Sequence, residues 1–232
     1  MNATRCGVAR RLVRGAGLAL LAAGAFGGQA SAEMVLVELR GIVEFNQVNA
    51  PPVGNLTAGT EVLLSLMLDS EEFTDSTTYP TRGYLISDFT LMGGGTSIGL
   101  ASPYPAGATP YFVLRDNDPA VDGFFIADSV DFPIGVELDA PGIFGAFSHD
   151  FSVSYVGDTL GSLDLLDAVG TYGFGGLKSF NWVIDDGPFS PVGLVFDSME
   201  ISVVPAPAPL VVGGLWGVLR GGRSRRRDSA VA

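Results

Sequence analysis

The clearest pattern in the chain is a two-residue alternation of apolar and polar positions. Phe151-Ser152-Val153-Ser154-Tyr155 alternates without a break, and so do Phe180, Trp182 and Ile184 against Ser179, Asn181 and Asp185. Successive side chains of a strand point to opposite faces, so both segments read as half-buried strands. Val62, Leu64, Leu66 and Leu68 alternate with Glu61, Leu63, Ser65 and Met67, which predicts a strand with one buried face and a second, partly covered one. Val35, Val37 and Leu39 pass into Val43 and Phe45 across Gly41, where a bulge or bend is expected. Residues 83–91, 110–115, 123–130 and 193–204 supply further strands; in the last, Met199, Ile201 and Val203 face in while Glu200 and Ser202 face out.

Helical periodicity is nearly absent. The exception is 162–169, where Ser162 can cap one or two turns before Gly170. Many short strands divided by Gly, Pro, Asn and Asp predict an all-β fold, an antiparallel β-sandwich or jelly roll. The 232 residues, 47% of them apolar and 16% charged, fit a globular chain rather than a disordered or fibrous one.

The two ends depart from this pattern. Residues 1–32 carry Arg5, Arg10, Arg11 and Arg14 and no acid, then an apolar run from Gly15 to Phe26, then small residues at Ala30-Ser31-Ala32. That order is the three-part pattern of a secretory signal peptide, with cleavage expected after Ala32. Cys6 lies in its charged part, so the mature chain would hold no cysteine and no disulfide. At the other end, three alternate prolines, Pro205, Pro207 and Pro209, predict an extended linker without amide donors at those positions. The apolar stretch after it includes Leu210, Leu215, Trp216 and Leu219, and 17 uncharged residues run from Val203 to Leu219. This is at the short limit for a membrane-spanning helix. Arg220, Arg223, Arg225, Arg226 and Arg227 follow and would stay on the cytoplasmic side. The expected organisation is a signal peptide at 1–32, a β ectodomain at 33–203 and a tail at 204–232.

The ends also change the meaning of the net charge of −12. Nine of the 13 bases and one of the 25 acids lie in them, so residues 33–204 hold four bases against 24 acids, a net charge of −20. Such a body excludes nucleic acid as a partner, because phosphate binding needs clustered Lys and Arg. One His and one Cys in the whole chain also remove most nucleophile-and-base mechanisms and most zinc sites.

The tail, Val204-Pro205-Ala206-Pro207 followed by a short apolar span and a terminal Arg cluster, resembles the C-terminal sorting signal of bacterial PEP-CTERM proteins. Its Pro-Ala-Pro resembles the Ala-containing variants of the family's Pro-Glu-Pro motif. The resemblance implies an exosortase-like membrane protease as a partner, membrane attachment before processing, and delivery to the cell surface or exopolysaccharide matrix. Residues Arg40-Gly41-Ile42-Val43-Glu44-Phe45, Gly59-Thr60 and 114–118 with 122–124 resemble, more loosely, the β-rich ectodomains that accompany such tails, and no activity follows from that.

Within the body the densest set of oxygen ligands is Asp116, Asp118 and Asp122, with Asn117 between them and Asp128 and Asp131 downstream. Closely spaced carboxylates suit Ca²⁺, which takes six to eight oxygens. The spacing is not that of an EF-hand, since the twelfth position from Asp116 is Ala127, and a hairpin turn is the better reading of Asp-Asn-Asp-Pro. No other cofactor is indicated. Ser148-His149-Asp150 is not a triad, because neighbours on a strand face opposite ways, and His149 reads as a turn residue before Phe151. Phe124, Phe125, Phe180 and Trp182 read first as core and second as a sugar-stacking surface. The sequence therefore predicts an exported, non-enzymatic surface or matrix protein. A Ca²⁺-assisted carbohydrate-binding module is the alternative, followed by a secreted glycoside hydrolase, for which carboxylate spacing in space would be the test.

Overall fold

The structure, a computed structural model, describes residues 32–116, 121–187 and 191–205. Eleven strands account for most of them: β1 (Met34–Asn46), β2 (Glu61–Asp75), β3 (Thr81–Gly93), β4 (Thr96–Ile98), β5 (Tyr111–Arg115), β6 (Val121–Ala127), β7 (Val136–Pro141), β8 (Ala146–Val156), β9 (Gly170–Gly173), β10 (Leu177–Asp185) and β11 (Val192–Val203). A single 3-10 turn, Val53–Asn55, is the only helical element among the described residues. The segment 162–169, expected to be helical, makes one turn closed by the Ala168 amide on the Asp164 carbonyl. Ser162 Oγ accepts the Asp164 amide there, so its capping chemistry is used on a turn that does not propagate.

All strand pairs are antiparallel, and the order is β1-β2-β3-β5-β6-β8-β10-β11, with β11 returning to β1. Strands β4, β7 and β9 attach to β3, β8 and β11. The all-β antiparallel expectation holds, but the strands close into one eight-stranded ring instead of two sheets packed as a sandwich. Neighbours in the ring follow chain order, as in a meander, and not the Greek-key order of a jelly roll. Closure depends on the first strand lying between β2 and the last strand. Val35 to Asn46 of β1 pairs along β11 from Val203 to Val192, with a register shift at Arg40/Gly41 where the bend was expected. A bulge at that point increases local curvature, which closing a sheet requires.

The ring is weakest between β10 and β11. Among the described residues these strands pair only at Val183 with Gly193 and Ile184 with Val192. Phe180, on the inward side of β10 but beyond this pairing, is 39% exposed and meets Phe174 with ring centroids 5.8 Å apart. Trp182, two residues further on, is fully buried.

The lumen is a packed core. Inward residues of β1, β2 and β8 alternate as the sequence predicts at Val35, Val37, Leu39; Val62, Leu64, Leu66, Leu68; Phe151, Val153, Tyr155, and in β8 the alternation extends back to Phe147 and His149. Strand β6 is buried on both faces, and residues 128–135 run back outside the neighbouring strands, with Val130 against Gly83 of β3 and Gly135 against Asp150 of β8. Val113, Phe125 and Ala127 form a small outer cluster, and Thr81 Oγ1 donates to the Val130 carbonyl at 2.6 Å to hold the returning segment.

His149 departs from expectation. It is a mid-strand core residue of β8 and not a turn residue, with Nε2 accepting the Trp182 Nε1 hydrogen at 2.8 Å. Its ring meets Phe89 edge-on at 5.5 Å, and burial pushes its pKa down to about 3, so the imidazole is neutral. Ser148 and Asp150 take the outward positions on either side, as alternation demands.

Candidate cation site at one end of the barrel

Strands β5 and β6 form the expected hairpin, with Arg115 opposite Gly123. Asp116 follows directly after β5, and Asp122 is the second residue of β6. Phe112 and Leu114 on β5, and Phe124 and Ile126 on β6, face the core. Two-residue periodicity therefore puts Asp116 and Asp122 on the inward side as well, at the barrel's rim.

Strand β8 lies beside β6, with Val156 opposite Val121, and Gly157-Asp158 continues from its end. The carboxylates of Asp116, Asp122 and Asp158 each bring an oxygen within 4.8 Å of the others. Asp122 is fully buried, Asp116 partly so, and Asp158 exposed. The group thus runs from the core to solvent.

The loop carrying Asp158 is fixed by two buried groups. Asp122 Oδ2 accepts the Leu160 amide at 2.6 Å and the neighbouring Thr159 amide. Tyr84 donates its hydroxyl hydrogen to the Leu163 carbonyl at 2.7 Å and accepts the Leu165 amide at 2.9 Å. Leu160, Leu165 and Ala168 then plug this end of the barrel. The β9–β10 turn lies against the same rim, since the Val156 amide donates to Gly176. It carries Phe174, which forms an exposed aromatic pair with Phe180.

Three carboxylates this close repel one another, and a hard cation relieves that repulsion while taking oxygen ligands. Sequence reasoning named Asp116 and Asp122, which the fold brings together; Asp118 lies outside the described residues. It missed Asp158, which is remote in sequence and joins only through the β6–β8 pairing. The one local signal for it is a Gly-Asp-Thr directly after an alternating strand. Asp128 and Asp131 belong elsewhere. Asp128 accepts the Tyr104 hydroxyl and is raised above the usual carboxylate range by burial, while Asp131 accepts Ser76 Oγ at 2.5 Å. Phe124, Phe125 and Trp182 are core residues, and Phe180 is the member of that aromatic set offered to solvent.

The sorting-tail residues fall mostly outside the described chain. Val204 still donates its amide to the Met34 carbonyl at 2.8 Å, and Pro205 follows it out of the sheet. Ala206, Pro207, the apolar span and the Arg cluster lie outside the described residues, as does Ala30; Ala32 is irregular. Among the described residues no helix is long and apolar enough to cross a membrane. No protein-family model, no curated protein and no solved structure matches the chain.

Proposed function

We propose that this chain is an exported, non-enzymatic protein of the bacterial cell surface or extracellular matrix, delivered by its tail through an exosortase-like protease. The observation that carries the reading is the order of parts at the C-terminus: Val204-Pro205-Ala206-Pro207, an apolar span, then five arginines. The fold is compatible with this use. Its first strand begins at Met34 and its last ends at Val203, paired side by side, so the described chain enters and leaves the barrel at one end. A segment with alternate prolines, for which the sequence predicts an extended backbone, suits a protease that binds its substrate as a strand. A body of net charge −20 would also stay soluble among other envelope components.

Fractionating the native host tests it. The full chain is expected in the envelope or matrix fraction, and a chain ending at Val203 in the medium. Identical distribution of both forms would contradict a sorting role for the tail.

The Asp116, Asp122 and Asp158 group, together with the exposed Phe174–Phe180 pair, favours a second reading, Ca²⁺-assisted carbohydrate binding. A ligand that binds only the folded state stabilises it by about 2.7 kcal/mol at a hundred times its Kd. Millimolar Ca²⁺ should then raise the melting temperature by several degrees, and Asp158→Asn should abolish the rise. Asp158 is exposed, so the substitution leaves the core intact. A melting temperature that Ca²⁺ and EDTA leave unchanged removes the metal from the account.

A further inference from the structure

At the end of the barrel opposite the acidic group, the β7–β8 hairpin turns through Gly142-Ile143-Phe144-Gly145 beside Asp186, which follows β10. Asp186 is 8% exposed, and its Oδ2 accepts the Ile143 amide at 2.6 Å and the Phe144 amide at 3.4 Å. A Cβ at Gly142 would lie 2.4 Å from Oδ2, so the carboxylate occupies space that only glycine leaves. Its second oxygen, Oδ1, is buried and has no hydrogen-bond partner among the described residues. A buried carboxylate oxygen without a donor is costly, and Asp186 has no salt-bridge partner there either.

The same residue lines a cavity of about 380 Å³, within the range of small-ligand sites. Val48, Pro141, Ile143 and Phe147 give it apolar walls, and Gln47 and Asn49 put amides on its rim. Asp186 is the one charged residue of the described lining. Oδ1 itself is closed to solvent, so a ligand reaches it only when the lining yields, and Ile143, 84% exposed, is the lining side chain with the most freedom to do so.

We infer that this cavity binds a compact primary ammonium on an otherwise uncharged hydroxylated ring, the chemistry of an amino sugar, with the ammonium donating to Asp186. The charge follows from the unmet carboxylate oxygen, since a donor that is also a cation makes the stronger bond there. The ring follows from the walls: an aliphatic face packs on Pro141 and Ile143 while hydroxyls reach Gln47 and Asn49. The choice of a sugar over another amine rests on the matrix reading above; the ammonium does not.

Calorimetry and saturation-transfer NMR on the mature protein isolated from its host test the inference, with glucosamine, N-acetylglucosamine and glucose as probes. Glucosamine is expected to bind at least about tenfold more tightly than the other two, because both lack the charge. Asp186→Asn should remove that preference, and Ile143→Ala should weaken glucosamine binding while the hairpin's amide bonds persist. Equal binding of the three sugars, or none, overturns the inference whatever the cellular location proves to be. If Asp186→Asn does not fold, the three-sugar comparison on the native protein decides alone.

Discussion

Replacing Trp182 by alanine lowers the unfolding free energy by about 3–5 kcal/mol. Several independent contacts meet at this side chain. It is buried to 1%, its ring stands edge-on to Phe151 at 5.6 Å, and its Nε1 hydrogen is the donor to His149. A Cβ at Gly41 would come within 2.5 Å of the indole, so the tryptophan packs directly onto the bulge that bends β1. Truncation therefore opens a cavity, strips the buried imidazole of its partner and loosens the strand on which ring closure depends. It does so beside the sparse β10–β11 pairing, where little backbone bonding compensates. Urea titration of wild type and variant checks this, with the midpoint expected to fall and the slope to stay constant. A loss below about 1 kcal/mol would show that the wall near β10 is not packed as described.

The second large effect is a dependence on pH carried by one residue. His149 has a pKa near 3 in the folded chain against 6.5 when unfolded. Below pH 6.5 the unfolded state takes up a proton that the folded state refuses, so stability is complete above 6.5 and falls by about 1.4 kcal/mol per pH unit toward 3. Two half-buried carboxyls act with the opposite sign. Asp128 is held above 3.8 by burial, and Asp150 by burial and then by the charge of Asp185. Each binds its proton earlier in the folded chain, so each adds stability as pH falls through its raised pKa. His149→Gln separates the two contributions, because glutamine keeps an acceptor for the Trp182 hydrogen and cannot titrate. At pH 7 the variant should be less stable by about 1–3 kcal/mol. The carboxyl contributions are common to both proteins and cancel in the difference, so the gap should close in acid and reverse near about pH 5. Parallel stability curves would mean that the imidazole is not buried and neutral.

That same histidine shows how far the sequence could be read. Phe147, His149 and Phe151 share one parity, and following it through Ser148 and Asp150 would have placed the ring in the core. A polar residue between two others reads locally as a turn, whereas the tryptophan that satisfies it comes from another strand. Alternation is a local property, so it identified the buried faces of β1, β2 and β8 and the bend at Gly41. Ring closure was not legible, because it joins Val35 to Val203 and nothing in either segment names its partner. The acidic group divides the same way. Asp116 and Asp122 flank one hairpin and are visible as a pair, while Asp158 arrives by strand pairing. Asp186 offered no signal at all, since its meaning lies in a glycine and two amides of a distant hairpin.

The central claim is that this acidic barrel is an exported body released from its two basic ends, and the intact mass of the protein recovered from surface material tests it most directly. The account predicts a chain that begins after Ala32 and lacks the apolar span and arginines from Leu210 to Ala232. Surface protein that retains residues 210–232 would contradict processing and leave the tail as a plain anchor.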